Sequence, residues 1–126
     1  MGLNQVVVFP GAPPAYGQVV ELLAARGLTV QLRMIDGALA FPDEKPPETW
    51  EELRVSVDGG MITLRRVAEK VVLVIWGNAD QALVKAWNAL TWSWAAAGGG
   101  LVVTPGEPVS AEEFARTADL PGFRGK

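Results

Sequence analysis

The chain has 126 residues, a length that fits one domain with a small core, and its 49% hydrophobic and 20% charged residues are those of a globular protein. It contains neither cysteine nor histidine, which excludes disulfides, zinc sites of the usual type, thiol nucleophiles, Ser-His-Asp catalysis and imidazole proton transfer. A net charge of −3 offers no global attraction to nucleic acid or an anionic membrane, and a mean hydropathy of +0.20 is high enough to expect apolar surface covered by a partner.

At the N-terminal end no basic stretch precedes an apolar segment, and Met1-Gly2-Leu3-Asn4-Gln5-Val6 lacks the Ser or Thr of a myristoylation signal. The longest uncharged apolar run, about Trp94 to Val103, is too short for a bilayer and is broken by three glycines. The expectation is one cytoplasmic globular domain over residues 1–126.

Val6-Val7-Val8-Phe9, ended by Pro10-Gly11, has the pattern of a central strand. Tyr16, Val19, Val20 and Leu23 recur at helical spacing, and Gly27 sits where a left-handed C-cap belongs. Thr29 to Met34 alternates, with Val30, Leu32 and Met34 toward a core and Thr29, Gln31 and Arg33 toward water. Residues 36–49 then read as one long loop rich in proline and acid. Thr49 with Glu52 has the spacing of a capping box, which suggests a single helical turn from Trp50 to Leu53.

Arg54 to Val57 and Met61 to Arg65 flank Asp58-Gly59-Gly60, a strong hairpin signal. Lys70 to Trp76 (KVVLVIW) is apolar enough to be buried on both faces. Asn78, with Gln81 at the capping-box position, opens a tryptophan-rich helix that Gly98-Gly99-Gly100 closes before a strand at Leu101 to Val103. A last helix runs from a Ser110 cap, with Glu113 three residues on, to about Ala118. The order β-α-β-β-β-β-α-β-α predicts an α+β fold, a mainly antiparallel sheet with helices packed on one face, related to the ferredoxin-like arrangement.

Candidate chemistry is sparse. The junctions Phe9 to Gly17 and Trp76 to Asp80 place glycine ahead of a helix but lack the Lys and Ser/Thr of a P-loop, and the prolines of the first remove backbone donors. They read as turns and caps. Asp43, Glu44, Glu48, Glu51 and Glu52 crowd five carboxylates into ten residues without the spacing of a calcium loop, so a solvated acidic loop is expected and no metal or other cofactor. Arg33, Arg54 and Arg65 fall on the water side of their strands and form a candidate anion patch, without the interleaved aromatics of an RNA-binding sheet.

The tryptophan-rich helix carries the sharpest expectation. At about 100° per residue Leu83, Ala86, Trp87, Leu90, Trp94 and Ala97 gather on a core side. Trp92 lies opposite them, flanked by Ala89 and Ala96, which outlines an exposed aromatic anchor with small neighbours. The competing arrangement has the first or last helix covering it. The reading is a non-catalytic interaction or oligomerisation module that binds a protein partner or itself through Trp92, Ala89 and Ala96, with no nucleic acid and no membrane. The alternative is a small-molecule binder or enzyme with Tyr16 and loop carboxylates in a groove near the first strand-helix junction.

Overall fold

The structure is a computed structural model that describes residues 2–57, 60–76, 79–103 and 107–118. Strand β1 (Gly2–Val8) leads to helix α1 (Tyr16–Ala24), then β2 (Gln31–Ile35), β3 (Ala38–Leu39), β4 (Glu52–Val57), β5 (Gly60–Val67) and β6 (Lys70–Trp76). Helix α2 (Gln81–Gly98), β7 (Leu101–Val103), β8 (Val109–Ser110) and helix α3 (Ala111–Thr117) complete it. Among the described residues the strands form one eight-stranded sheet in the order β3-β2-β4-β5-β6-β1-β7-β8, each neighbouring pair antiparallel. The α+β class and the antiparallel sheet are therefore as the sequence predicts.

The finer topology differs. The crossover β6-α2-β7 straddles β1 alone, as a split β-α-β unit does, whereas β1-α1-β2 straddles β4, β5 and β6. Two short strands are also added to the predicted order. Asp36 (φ 49°) and Gly37 (φ 86°) make a two-residue turn that pairs Ile35 with Ala38, so a hairpin opens what the sequence suggests is a continuous loop from 36 to 49.

The expected turn at Trp50 to Leu53 is absent for a related reason. Asp36 Oδ1 accepts the N–H groups of Glu51 and Glu52, at 2.8 and 2.9 Å, and the Arg66 N–H donates to the Glu51 carbonyl. The donors and acceptors of a first helical turn are thus spent on the sheet, and Glu52 opens β4 instead. Trp50 is buried, and its ring packs against that of Trp94 at 6.0 Å.

Helix α2 starts where Asp80 accepts the Leu83 N–H at 2.9 Å; the cap expected at Asn78 lies outside the described residues. Its end explains the glycine triplet. Gly99 holds the left-handed C-cap at φ 65°, while a Cβ on Gly98 would meet the Phe9 ring and Pro14 at 2.6 Å. On Gly100 a Cβ would come within 2.9 Å of the Val8 carbonyl oxygen. Two of the three glycines thus let the helix end lie on β1.

The core lies between this sheet and a layer of helices on one face. α2 packs on β1, β5, β6 and β7 and is flanked by α1 and α3. The inward residues Val7, Leu32, Leu53, Val55, Ile62, Leu64, Val71, Leu73 and Val102 are fully buried. Polar bonds fix the helix on the sheet: Trp87 Nε1 donates to the Leu73 carbonyl at 3.0 Å, Gln5 Nε2 to Asn88 Oδ1 at 3.0 Å, and the Thr91 hydroxyl to Gln5 Oε1. Ser93 Oγ ties α2 to the Val19 carbonyl of α1 at 2.7 Å. No helix among the described residues is long and apolar enough to cross a membrane.

Candidate interaction surface

Helix α2 is not the exposed face that its own periodicity suggests. Trp92 is 8% exposed and belongs to the core cluster, Ala89 is fully buried, and of the three expected anchor residues Ala96 alone is exposed. The reason lies in the neighbours. α1 and α3 pack on the two flanks of α2, and the Arg26 guanidinium beyond the end of α1 caps the Trp92 ring at 5.0 Å from its centre. Trp92 and Trp94, two positions apart, both find cover because α2 is wrapped by other helices as well as by the sheet. The expectation of an exposed Trp92 anchor is corrected accordingly.

The opposite face of the sheet is the open one. Cross-strand register sets its outward residues in four rows. Gln31, Ser56 and Met61 lie in one, which Trp76 extends opposite Gly2. Met34, Arg54, Thr63, Val74 and Asn4 form the second, and Glu52, Arg65, Val72, Val6 and Val103 the third. Val67, Lys70, Val8, Leu101 and Ser110 form the fourth. No described helix packs on this face.

Composition divides the face in two. On β6, β1 and β7 the outward side chains are aliphatic apart from Lys70, Asn4 and the aromatic Trp76, and Met61, Val67, Trp76 and Leu101 at the margins are 43, 60, 55 and 45% exposed. Thr63 and Val74, paired with each other at the centre of the face, are the exceptions and are buried. β6 and β1 are thus the doubly apolar strands that the sequence shows, but among the described residues helices pack on only one of their two faces. The sequence expectation that KVVLVIW is buried on both faces fails at Lys70 and Trp76, holds in part at Val72 and holds at Val74.

The β2-β4-β5 half carries the three arginines, Arg54 and Arg65 by alternation and Arg33 at a bulge that breaks it and turns Met34, expected on the core side, onto this face as well. Arg54 and Arg65 share the Glu52 carboxylate, each at 3.7 Å. Arg33, at a bulge in β2, donates to Ser56 Oγ and Gln31 Oε1, both at 3.1 Å and both uncharged. Among the described residues the face holds four cations, Arg54, Arg65 and Lys70 by register and Arg33 by its bonds to Ser56 and Gln31, against the Glu52 carboxylate, on a chain with 11 cations and 14 carboxylates in all. It is locally basic in an acidic protein.

The remaining sequence candidates do not converge on a reaction site. Tyr16 is buried, and burial pushes its phenol far above the ordinary range, so it is held neutral. Asp43, Glu44, Glu48 and Glu51 are exposed, and among the described residues no group of three acidic side chains gathers around a metal-sized site. The first junction packs Phe9 into the core, and the Ala15 N–H is taken by Gln18 Oε1 at 3.3 Å. Gly77 and Asn78 of the second lie outside the described residues. A shallow depression lined by Met34, Gly37, Glu52 and Arg54 lies on the basic half of the open face.

Sequence reasoning missed the aliphatic half of this surface. The signal was present in strands apolar at both parities, Val6 and Val8 beside Val7, and Val72 and Val74 beside Val71 and Leu73, combined with too few helices to cover both sides of a sheet. Comparison with protein-family models, with curated proteins and with solved structures gives no match to this chain.

Proposed function

We propose that this protein is a non-catalytic interaction module and that its working surface is the open face of the sheet. One observation carries the reading: strands with two apolar faces, of which only one is packed by helices among the described residues. A chain without Cys or His, whose buried tyrosine is locked neutral and whose loop carboxylates point to solvent, adds no competing reaction chemistry. The binding role expected at Trp92 passes to Trp76, the one half-exposed member of the five tryptophans.

A photo-crosslinking amino acid placed at Met61 or Leu101, and for comparison at Ala96 or Glu112, tests this in cells that express the chain naturally. The expected result is a discrete heavier species from the two sheet positions and none from the two helix positions. Adducts from Ala96 without adducts from Met61 or Leu101 would return the interaction to the helix layer.

A further inference from the structure

With the open face read as the docking surface, a reading on which the identity of its occupant depends, the chemistry of that face narrows what can cover it. At about 4.8 Å between strands and about 3.4 Å per residue, the whole sheet spans on the order of 650 Å² in projection, close to the about 800 Å² that each side of a stable interface contributes. The aliphatic field of Val6, Val8, Val72, Leu101 and Val103 covers only about a quarter of that by the same spacings. An occupant that used the aliphatic field alone would fall well short.

A second copy of this chain fits poorly for the same reason. Stacking the full faces about a two-fold axis sets Arg33, Arg54 and Arg65 either against their own counterparts or against the partner copy's valines. Both arrangements desolvate guanidinium groups, and the carboxylate each copy brings to the face, Glu52, is already divided between two of its own arginines. The RNA alternative lacks a stacking platform, since Trp76 stands as the face's one aromatic among the residues placed on it.

We infer that the occupant is a different protein whose surface joins an apolar patch to a cluster of carboxylates, the first seated on β6-β1-β7 and the second on the arginine half. Aliphatic burial supplies the attraction and the arginines fix orientation and exclude self-stacking.

The test uses a random glutamate-tyrosine copolymer as an apolar acidic polypeptide, with polyglutamate, a single-stranded oligouridylate and phosphatidylserine vesicles as separate arms. Sedimentation of the chain over a concentration series runs beside them. The copolymer should bind more tightly than the other three, weaken as salt rises, and lose about tenfold in affinity when Arg33, Arg54 and Arg65 are changed together to Gln. Trp76→Ala should weaken it as well, and the chain alone should remain a monomer. Thermal melts of the variants establish that they fold, and single Arg→Gln changes replace the triple variant if it does not.

Copolymer binding that ignores the arginine changes overturns the acidic partner. So does tighter binding to the oligouridylate or the vesicles. Self-association abolished by Leu101→Lys also overturns it, while leaving the open face as the docking surface. If crosslinks from Met61 and Leu101 are missing too, the docking reading falls with it.

Discussion

Trp94 is fully buried between Phe9 and Trp50, with ring centres 6.4 and 6.0 Å away, and its indole N–H has no hydrogen-bond partner. Its contribution is therefore packing, and Trp94→Ala should cost about 3–5 kcal/mol by denaturant titration. Trp92→Gln removes a buried ring and its contact with Arg26, and about 2–4 kcal/mol is expected there, against less than about 1 kcal/mol for Trp76→Phe. Equal tolerance of Trp92→Gln and Trp76→Phe would contradict the burial assigned to α2. Asp36 makes a different kind of claim. The N–H groups of Glu52 and then Glu51, helped by the Arg66 charge, hold its carboxyl below the ordinary range. The unfolded chain therefore takes up that proton at a higher pH than the folded one. The stability from this contact is complete at neutral pH and is lost as pH falls below about 4 and through the lowered folded value. Asp36→Asn, which tolerates the turn's positive φ, should make the acid limb of the denaturation midpoint shallower; an unchanged limb would show that the contact does not matter to stability.

At the scale of elements, the glycines after α2 offer a graded test. Gly99→Ala meets no neighbour but strains a left-handed residue, a cost of about 1–2 kcal/mol. Gly100→Ala drives a methyl against the Val8 backbone carbonyl, which cannot rotate away, and should cost more in the same melts. Most strands and all three helices were legible in the sequence because period and punctuation are local: the alternation of Val30 and Leu32, the Gly27 stop, the Ser110 cap. Asp36-Gly37 was equally local, but the prolines and acids after it drew the reading toward a loop. Trp92 was not legible. A projection of one helix ranks its own residues and holds no information on how many neighbours pack around it, and here α1 and α3 both pack on α2 while Arg26 lies over the Trp92 ring. Arg54 and Arg65 were legible through alternation, which the bulge at Arg33 breaks, while the union of the arginine patch with the aliphatic field needed the long-range pairing of β1 with β6 and β7.

The whole molecule is a two-layer structure built from strands suited to three layers. Helices occupy one face, two-residue strands blunt both edges of the sheet, and the other face is left with aliphatic and basic halves. On the proposed reading binding falls to the sheet, and α1, α2 and α3 hold it in shape. Acrylamide quenching of tryptophan fluorescence in the folded chain, compared with Trp76→Phe and Trp92→Phe, separates the two surfaces directly. The account predicts a readily quenched fraction that Trp76→Phe abolishes and Trp92→Phe leaves in place. A fraction that survives Trp76→Phe and disappears in Trp92→Phe would mean that the helix face is open and the sheet face covered, the reverse of this arrangement.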